Sequence, residues 1–112
     1  MMALERKVDA VNAMIANISH ENFPLCYIIM FGSVLTDNFD ENSDLDICFI
    51  HDDDIALTHE EQNAIERFFR QSVGNEVELD YIYATLSTFF SGQDVFESIR
   101  NEGVVLWKRT GA

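Results

Sequence analysis

One stretch constrains the fold of this chain more than any other: Ile28 to Ile50, reading IIMFGSVLTDNFDENSDLDICFI. Its first part continues an apolar run from Leu25 to Phe31 that is too short for an ordinary globular helix and rich in β-formers. That pattern predicts a strand buried on both faces, stopped by Gly32. Residues 34–44 show no periodicity and carry Asp37, Asn38, Asp40, Asn42 and Ser43, the chemistry of turns. Leu45 to Ile50 is then a second buried strand. Strands covered on both sides need helices to cover them, so the remainder of the chain must supply helical layers.

The remainder does so. Leu4, Val8, Val11, Ile15 and Ile18 recur at spacings of four and three, predicting an amphipathic helix over 3–18. Asn22 and Pro24 close the connection to the first strand. His51-Asp52-Asp53-Asp54 reads as a solvated loop. Thr58 with Glu61 forms a capping box that opens a helix to about Ser72, burying Ile65, Phe68 and Phe69 and ending at Gly74-Asn75. Val77 to Tyr83 alternates, with Val77, Leu79 and Tyr81 on one face and Glu78 and Asp80 on the other, so it reads as a third strand. Thr85 to Ser91 is a short helix presenting Phe89 or Phe90 to the core. Asp94 with Glu97 reads as a second capping box, before an apolar face of Val95, Phe96 and Ile99. Val104 to Trp107 closes the chain as a short strand or extended tail. The order α-β-β-α-β-α-β predicts an α+β fold, a small mixed sheet packed against helices, in a single domain over 1–112.

Composition narrows the function classes. The formal net charge is −13, which opposes binding to nucleic acid. No apolar run approaches the ~20 residues of a membrane span and the N-terminus has no charged-then-apolar leader, so a cytoplasmic protein without membrane contact is expected. Cys26 and Cys48 lie in apolar runs and read as buried free thiols. Between Lys7 and Arg67 there is no Lys or Arg, although Asp and Glu are frequent there. An anion bound near Asp44 would therefore draw its counter-charge from metal ions or from a partner. His20, His51 and His59 fall on expected loops or a helix start, and Tyr81 and Tyr83 read as packing residues.

Asp44 and Asp46 stand at i and i+2 on a strand, so both project from one face. Carboxylates that close repel, and one takes up a proton unless a cation lies between them. Mg²⁺ suits such a site, because it takes a few hard oxygen ligands shared with substrate phosphates. Zinc does not, since no His or Cys has ligand spacing nearby. Gly32 lets the backbone approach a phosphate, and Ser33 adds a hydroxyl and an N-cap for a helical turn whose N–H groups would face the anion. A two-metal displacement also needs a carboxylate on the attacking hydroxyl, and Asp80 is the candidate, with Glu78 on the same face in reserve.

Gly32-Ser33, ten residues, then Asp44-x-Asp46, followed by an acid on a later strand, resembles the signature of the DNA polymerase β-like nucleotidyltransferase superfamily. The single small domain and the ending Ile99 to Trp107 resemble its minimal nucleotidyltransferase branch. The resemblance implies transfer of NMP from an NTP, ATP foremost. Asp44, Asp46 and Asp80 would hold two Mg²⁺ ions, and Gly32 and Ser33 the triphosphate. It also implies a helical HEPN-type protein as partner, in some members a toxin whose tyrosine receives AMP from the antitoxin. The Arg that commonly follows Gly-Ser in the family is replaced here by Val34-Leu35-Thr36. Two rivals remain: an aminoglycoside-type transferase acting on a small molecule, and a weakly active module that neutralises a partner by occupancy. Either a homo- or a hetero-oligomer is compatible with the sequence.

Overall fold

In a computed structural model, residues 3–36 and 38–111 are described; Asp37, one of the expected turn residues, lies outside them. The elements are α1 (Ala3–Ile18), β1 (Tyr27–Phe31), a 3₁₀ turn (Gly32–Leu35), β2 (Leu45–His51), α2 (His59–Val73), β3 (Leu79–Thr85), α3 (Leu86–Phe89), α4 (Asp94–Glu102) and β4 (Val104–Lys108). The four strands form one sheet in the order β3-β2-β1-β4. The β1–β2 and β1–β4 pairs are antiparallel, whereas β2 and β3 run parallel, connected by α2. This is the expected α+β fold with a small mixed sheet.

Period-two alternation sorts the strand residues to two faces. Ile28, Met30, Leu45, Ile47 and Phe49 pack with Val11, Met14 and Ile18 of α1 and Ile65, Phe69 and Val73 of α2. Ile29, Cys48, Ile50 and Ala84 pack with Phe89 of α3 and Phe96 and Ile99 of α4 on the opposite face. The sheet is therefore the middle of three layers, which explains why β1 and β2 read as continuous apolar runs. Both cysteines are free and buried, and burial pushes the Cys48 thiol up to about 12.

Some local expectations hold and others are corrected. The buried stripe of α1 is Lys7, Val11, Met14 and Ile18, while Val8 is 41% exposed; the face that meets the core is rotated from the one marked by the aliphatic residues alone. Phe89 enters the core and Phe90 points outward. The Thr58–Glu61 capping box forms in both directions. The second box does not: Gln93 is the N-cap of α4 and makes no side-chain bond. Asp94 is already inside the first turn, where it favours the helix only through the dipole. Val95 is exposed rather than packed. Nor is the 51–54 segment merely solvated. Asp52 accepts from both Arg109 nitrogens (2.6 and 3.2 Å) and from the Cys26 thiol (3.2 Å), and Asp53 accepts from the Ser87 N–H. Among the described residues no helix is long and apolar enough to cross a membrane.

Candidate functional site

The register of the sheet decides how the acidic residues meet. Asp46 is the Cα partner of Asp80 across the parallel β2–β3 pair and of Phe31 across the antiparallel β1–β2 pair. Asp80, Asp46 and Phe31 thus form one row across three strands, on the face covered by α3 and α4. Asp44 lies one residue before β2, and alternation puts it on the same face as Asp46. Glu78, the reserve candidate, precedes β3 and contributes its carbonyl to the Leu45 N–H at 2.8 Å. The sheet therefore sets Asp80, not Glu78, opposite Asp46.

The electrostatics follow from this crowding. The Asp46 carboxyl is pushed above the usual range, first by burial, then by the charges of Asp80 and Asp44. Asp46 thus feels the charges of two further carboxylates while already partly desolvated, and a divalent cation beside it would offset that repulsion. Among the described residues no group of three or more His, Cys, Asp or Glu side chains is placed to hold a metal ion by itself. An open, carboxylate-only arrangement fits Mg²⁺, which is held by one or two carboxylates with water and substrate phosphates completing its shell.

Gly32 joins these acids to the neighbouring cleft. It ends β1 with φ +84°, a left-handed conformation that side chains rarely adopt. A Cβ there would overlap the Asp46 carboxylate, lying 3.1 Å from its Cγ and 3.4 Å from its Cβ. Glycine is required here on both counts. The turn that follows differs from expectation in one respect. Phe31 is its N-cap, without a side-chain bond, so Ser33 lies inside the turn rather than capping it. The extended φ and ψ of Phe31 already supply the entry geometry. Val34 and Leu35, in place of the basic residue common in the resembled family, pack against the α1–α2 side of the core and anchor the turn.

A cleft of about 610 Å³ opens beside this turn, lined by Phe31, Gly32, Ser33, Thr36, Ser98 and Glu102 among others. Its size suits a small-molecule ligand. The three aspartates are outside its lining, and Gly32, which borders it while touching Asp46, is the link. Sequence reading missed the α4 wall, although Ser98 and Glu102 stand four apart and so share one helix face. A smaller apolar hollow of about 200 Å³ lies between Tyr27, Phe90, Ile99 and Val105. It gathers no acid or glycine turn, whereas the larger cleft is bordered by Gly32, which touches Asp46, and by Ser33, and is the candidate site on that ground.

Residues 3–102 match the family model of the central palm domain of mitochondrial-like poly(A) RNA polymerases. No curated protein sequence matches the chain significantly. Two solved structures are similar. A candidate nucleotidyltransferase from Sulfolobus solfataricus is 17% identical, with 98% of this chain and 87% of that one covered and a TM-score of 0.49. A toxin–antitoxin structure with AMP-PNP is 18% identical, with 96% and 75% covered and a TM-score of 0.52; the latter shares the fold. With the family model spanning nearly all of the sequence, the chain belongs to the mitochondrial-like poly(A) RNA polymerase central palm family and is a nucleotidyltransferase domain.

Proposed function

We propose that this protein is a Mg²⁺-dependent nucleotidyltransferase that moves AMP from ATP onto a hydroxyl group of a partner protein. The observation that carries the reading is the Asp80–Asp46 row set directly against Gly32. It places paired carboxylates beside a glycine turn that a phosphate can approach. Asp44, Asp46 and Asp80 would hold the metal, and Gly32 and Ser33 the triphosphate. Bound Mg²⁺ would neutralise the charge on the phosphate oxygens. Gly32 brings its backbone close to the triphosphate, and the Ser33 hydroxyl donates to a phosphate oxygen. The Asp80 carboxylate accepts the proton of the attacking hydroxyl as its oxygen bonds to the α-phosphorus. The bond from the α-phosphorus to the bridging oxygen breaks, and its electron pair leaves with pyrophosphate.

The charge distribution supports a protein acceptor. Five of the seven basic residues are engaged within the chain: Arg6 with Glu76, Lys7 with two loop carbonyls, Arg70 with the Gly74 and Val77 carbonyls, Arg100 with the Phe89 carbonyl and Arg109 with Asp52. A helical HEPN-type partner would bring the acceptor hydroxyl and, like an arginine finger, the missing cation. The shared fold of the toxin–antitoxin structure with AMP-PNP is in line with an antitoxin role. The family is named for poly(A) RNA polymerases, but an RNA acceptor would have to approach a surface of net charge −13.

Incubation with α-labelled ATP, Mg²⁺ and the product of the neighbouring gene tests this. Label should pass to the partner, vanish with Asp44→Asn/Asp46→Asn, and slow by about 10²–10⁴ with Asp80→Asn. Unchanged transfer in the double variant would refute the metal assignment. Binding and silencing of the partner without transfer would make the chain an occupancy module.

A further inference from the structure

Lys7 is the one buried charged side chain among the described residues, 4% exposed. Its ammonium donates to the Asp40 carbonyl at 2.6 Å and the Ser43 carbonyl at 2.5 Å. It also lies 4.8 Å from the centre of the Phe39 ring. An ammonium withdrawn from water without partners is strongly unfavourable, so a lysine on the core stripe of α1 is retained only where its donors are satisfied. Here they are satisfied by the backbone of the acidic segment that leads into β2.

That segment is already cross-linked to itself. Asp40 N–H donates to the Ser43 hydroxyl (3.0 Å), Asn42 N–H to the Asp40 carboxylate (2.9 Å), and Ser43 N–H to the Asp40 carbonyl (3.1 Å). The Ser43 hydroxyl donates to the Asp40 carboxylate at 3.1 Å. The result is a small closed turn tied to the α1–α2 layer by the Lys7 ammonium, with Phe39 just before it packed against the same layer. Asp44 follows Ser43 directly, and Leu45 N–H then enters the sheet through Glu78.

We propose that Lys7 is a positioning residue for the metal site: its ammonium holds the 40–43 turn and thereby fixes where Asp44 stands relative to Asp46. This rests on the reading of Asp44 and Asp46 as metal ligands. The cation absent from the 8–66 interval of the sequence is thus supplied by the first helix, and it acts on the backbone that presents a ligand rather than on phosphate.

The test compares wild type, Lys7→Met and Lys7→Gln by circular dichroism, by melting temperature against Mg²⁺ concentration without nucleotide, and by amide exchange. In a variant that folds, the Mg²⁺ concentration giving half the thermal shift should rise about tenfold or more, as for the loss of other groups that orient metal ligands. Exchange at Asp40 to Leu45 should quicken while that of β1 is unchanged. A lower melting temperature with the same Mg²⁺ midpoint would overturn the proposal, leaving Lys7 a stabilising residue only. Unfolding of both variants would overturn it in the same way. If the wild type itself does not respond to Mg²⁺, the metal-ligand reading of Asp44 and Asp46 fails, whereas an equal response in wild type and variant refutes only the role of Lys7.

Discussion

Asp46 shows what a site of this kind costs the folded chain. Its carboxyl is pushed up from the ordinary value by burial and by two like charges. A raised folded value means that the site is fully tolerated below about pH 4, where the group is protonated in both states. As pH rises through the window above that, ionisation is paid for in stability. Asp46→Asn should therefore melt a few degrees higher than wild type in EDTA at pH 7, with the gain disappearing towards pH 4. Added Mg²⁺ should reverse the order, because only the wild type keeps the ligand. Calorimetric scans across that range check this, and an equal melting point at pH 7 would contradict it. Gly32 belongs to the same scale: its open α-carbon is what allows the Asp46 carboxylate to lie where it does.

At the scale of elements, α2 connects the two strands that carry Asp46 and Asp80, crossing over the α1 side of the sheet. Its N-terminus is held by the reciprocal Thr58–Glu61 bonds at 3.0 and 2.9 Å. Thr58→Ala removes the cap and should destabilise the protein by about 1 kcal/mol, seen as a lower urea midpoint. The cap lies at the far end of β2 from the acids, so the Mg²⁺ response should not change; a shift in it would mean that α2 transmits strain to the site. On the face of β3 turned to α2, Tyr83 donates to the Glu66 carboxylate and Tyr81 has its hydroxyl pushed up to about 12 by burial. These rings pack on Phe49 at 5.2 and 5.5 Å and fix the register on which the aspartate row depends.

For the whole molecule, the last residues are secured by the Arg109–Asp52 pair and by Trp107. The indole of Trp107 meets Phe23 edge-on at 5.2 Å and donates to the Glu21 carbonyl at 3.0 Å. Hydrogen bonds from Arg109 and then from Cys26 hold the Asp52 carboxyl below its usual range. A lowered folded value gives stability that is present above about pH 4 and lost as pH falls through the folded value. Arg109→Gln should therefore lower the melting temperature slightly at pH 7 and not at all at pH 2, and 1 M NaCl should shrink the difference. A difference that persists in acid would show that Arg109 acts by packing instead.

The residues by themselves determined the elements and the chemistry on offer. Two apolar runs too short for helices had to be buried strands, and turn residues had to separate them. Asp44 and Asp46, two apart on a strand, had to share a face. These are consequences of local period and sterics, and they are written in neighbouring positions. Tertiary structure decided what local periodicity cannot reach. Strand register, set by packing on both faces, put Asp80 rather than Glu78 opposite Asp46. The approach of β2 to the end of β1 made Gly32 indispensable to the Asp46 carboxylate. The folding of α1 over the acidic turn gave that turn its cation, although Lys7 is more than thirty residues away in the chain. Lys7 is not among the aliphatic positions that predicted the core face of α1, and its acceptors are backbone carbonyls, which leave no trace in side-chain identity.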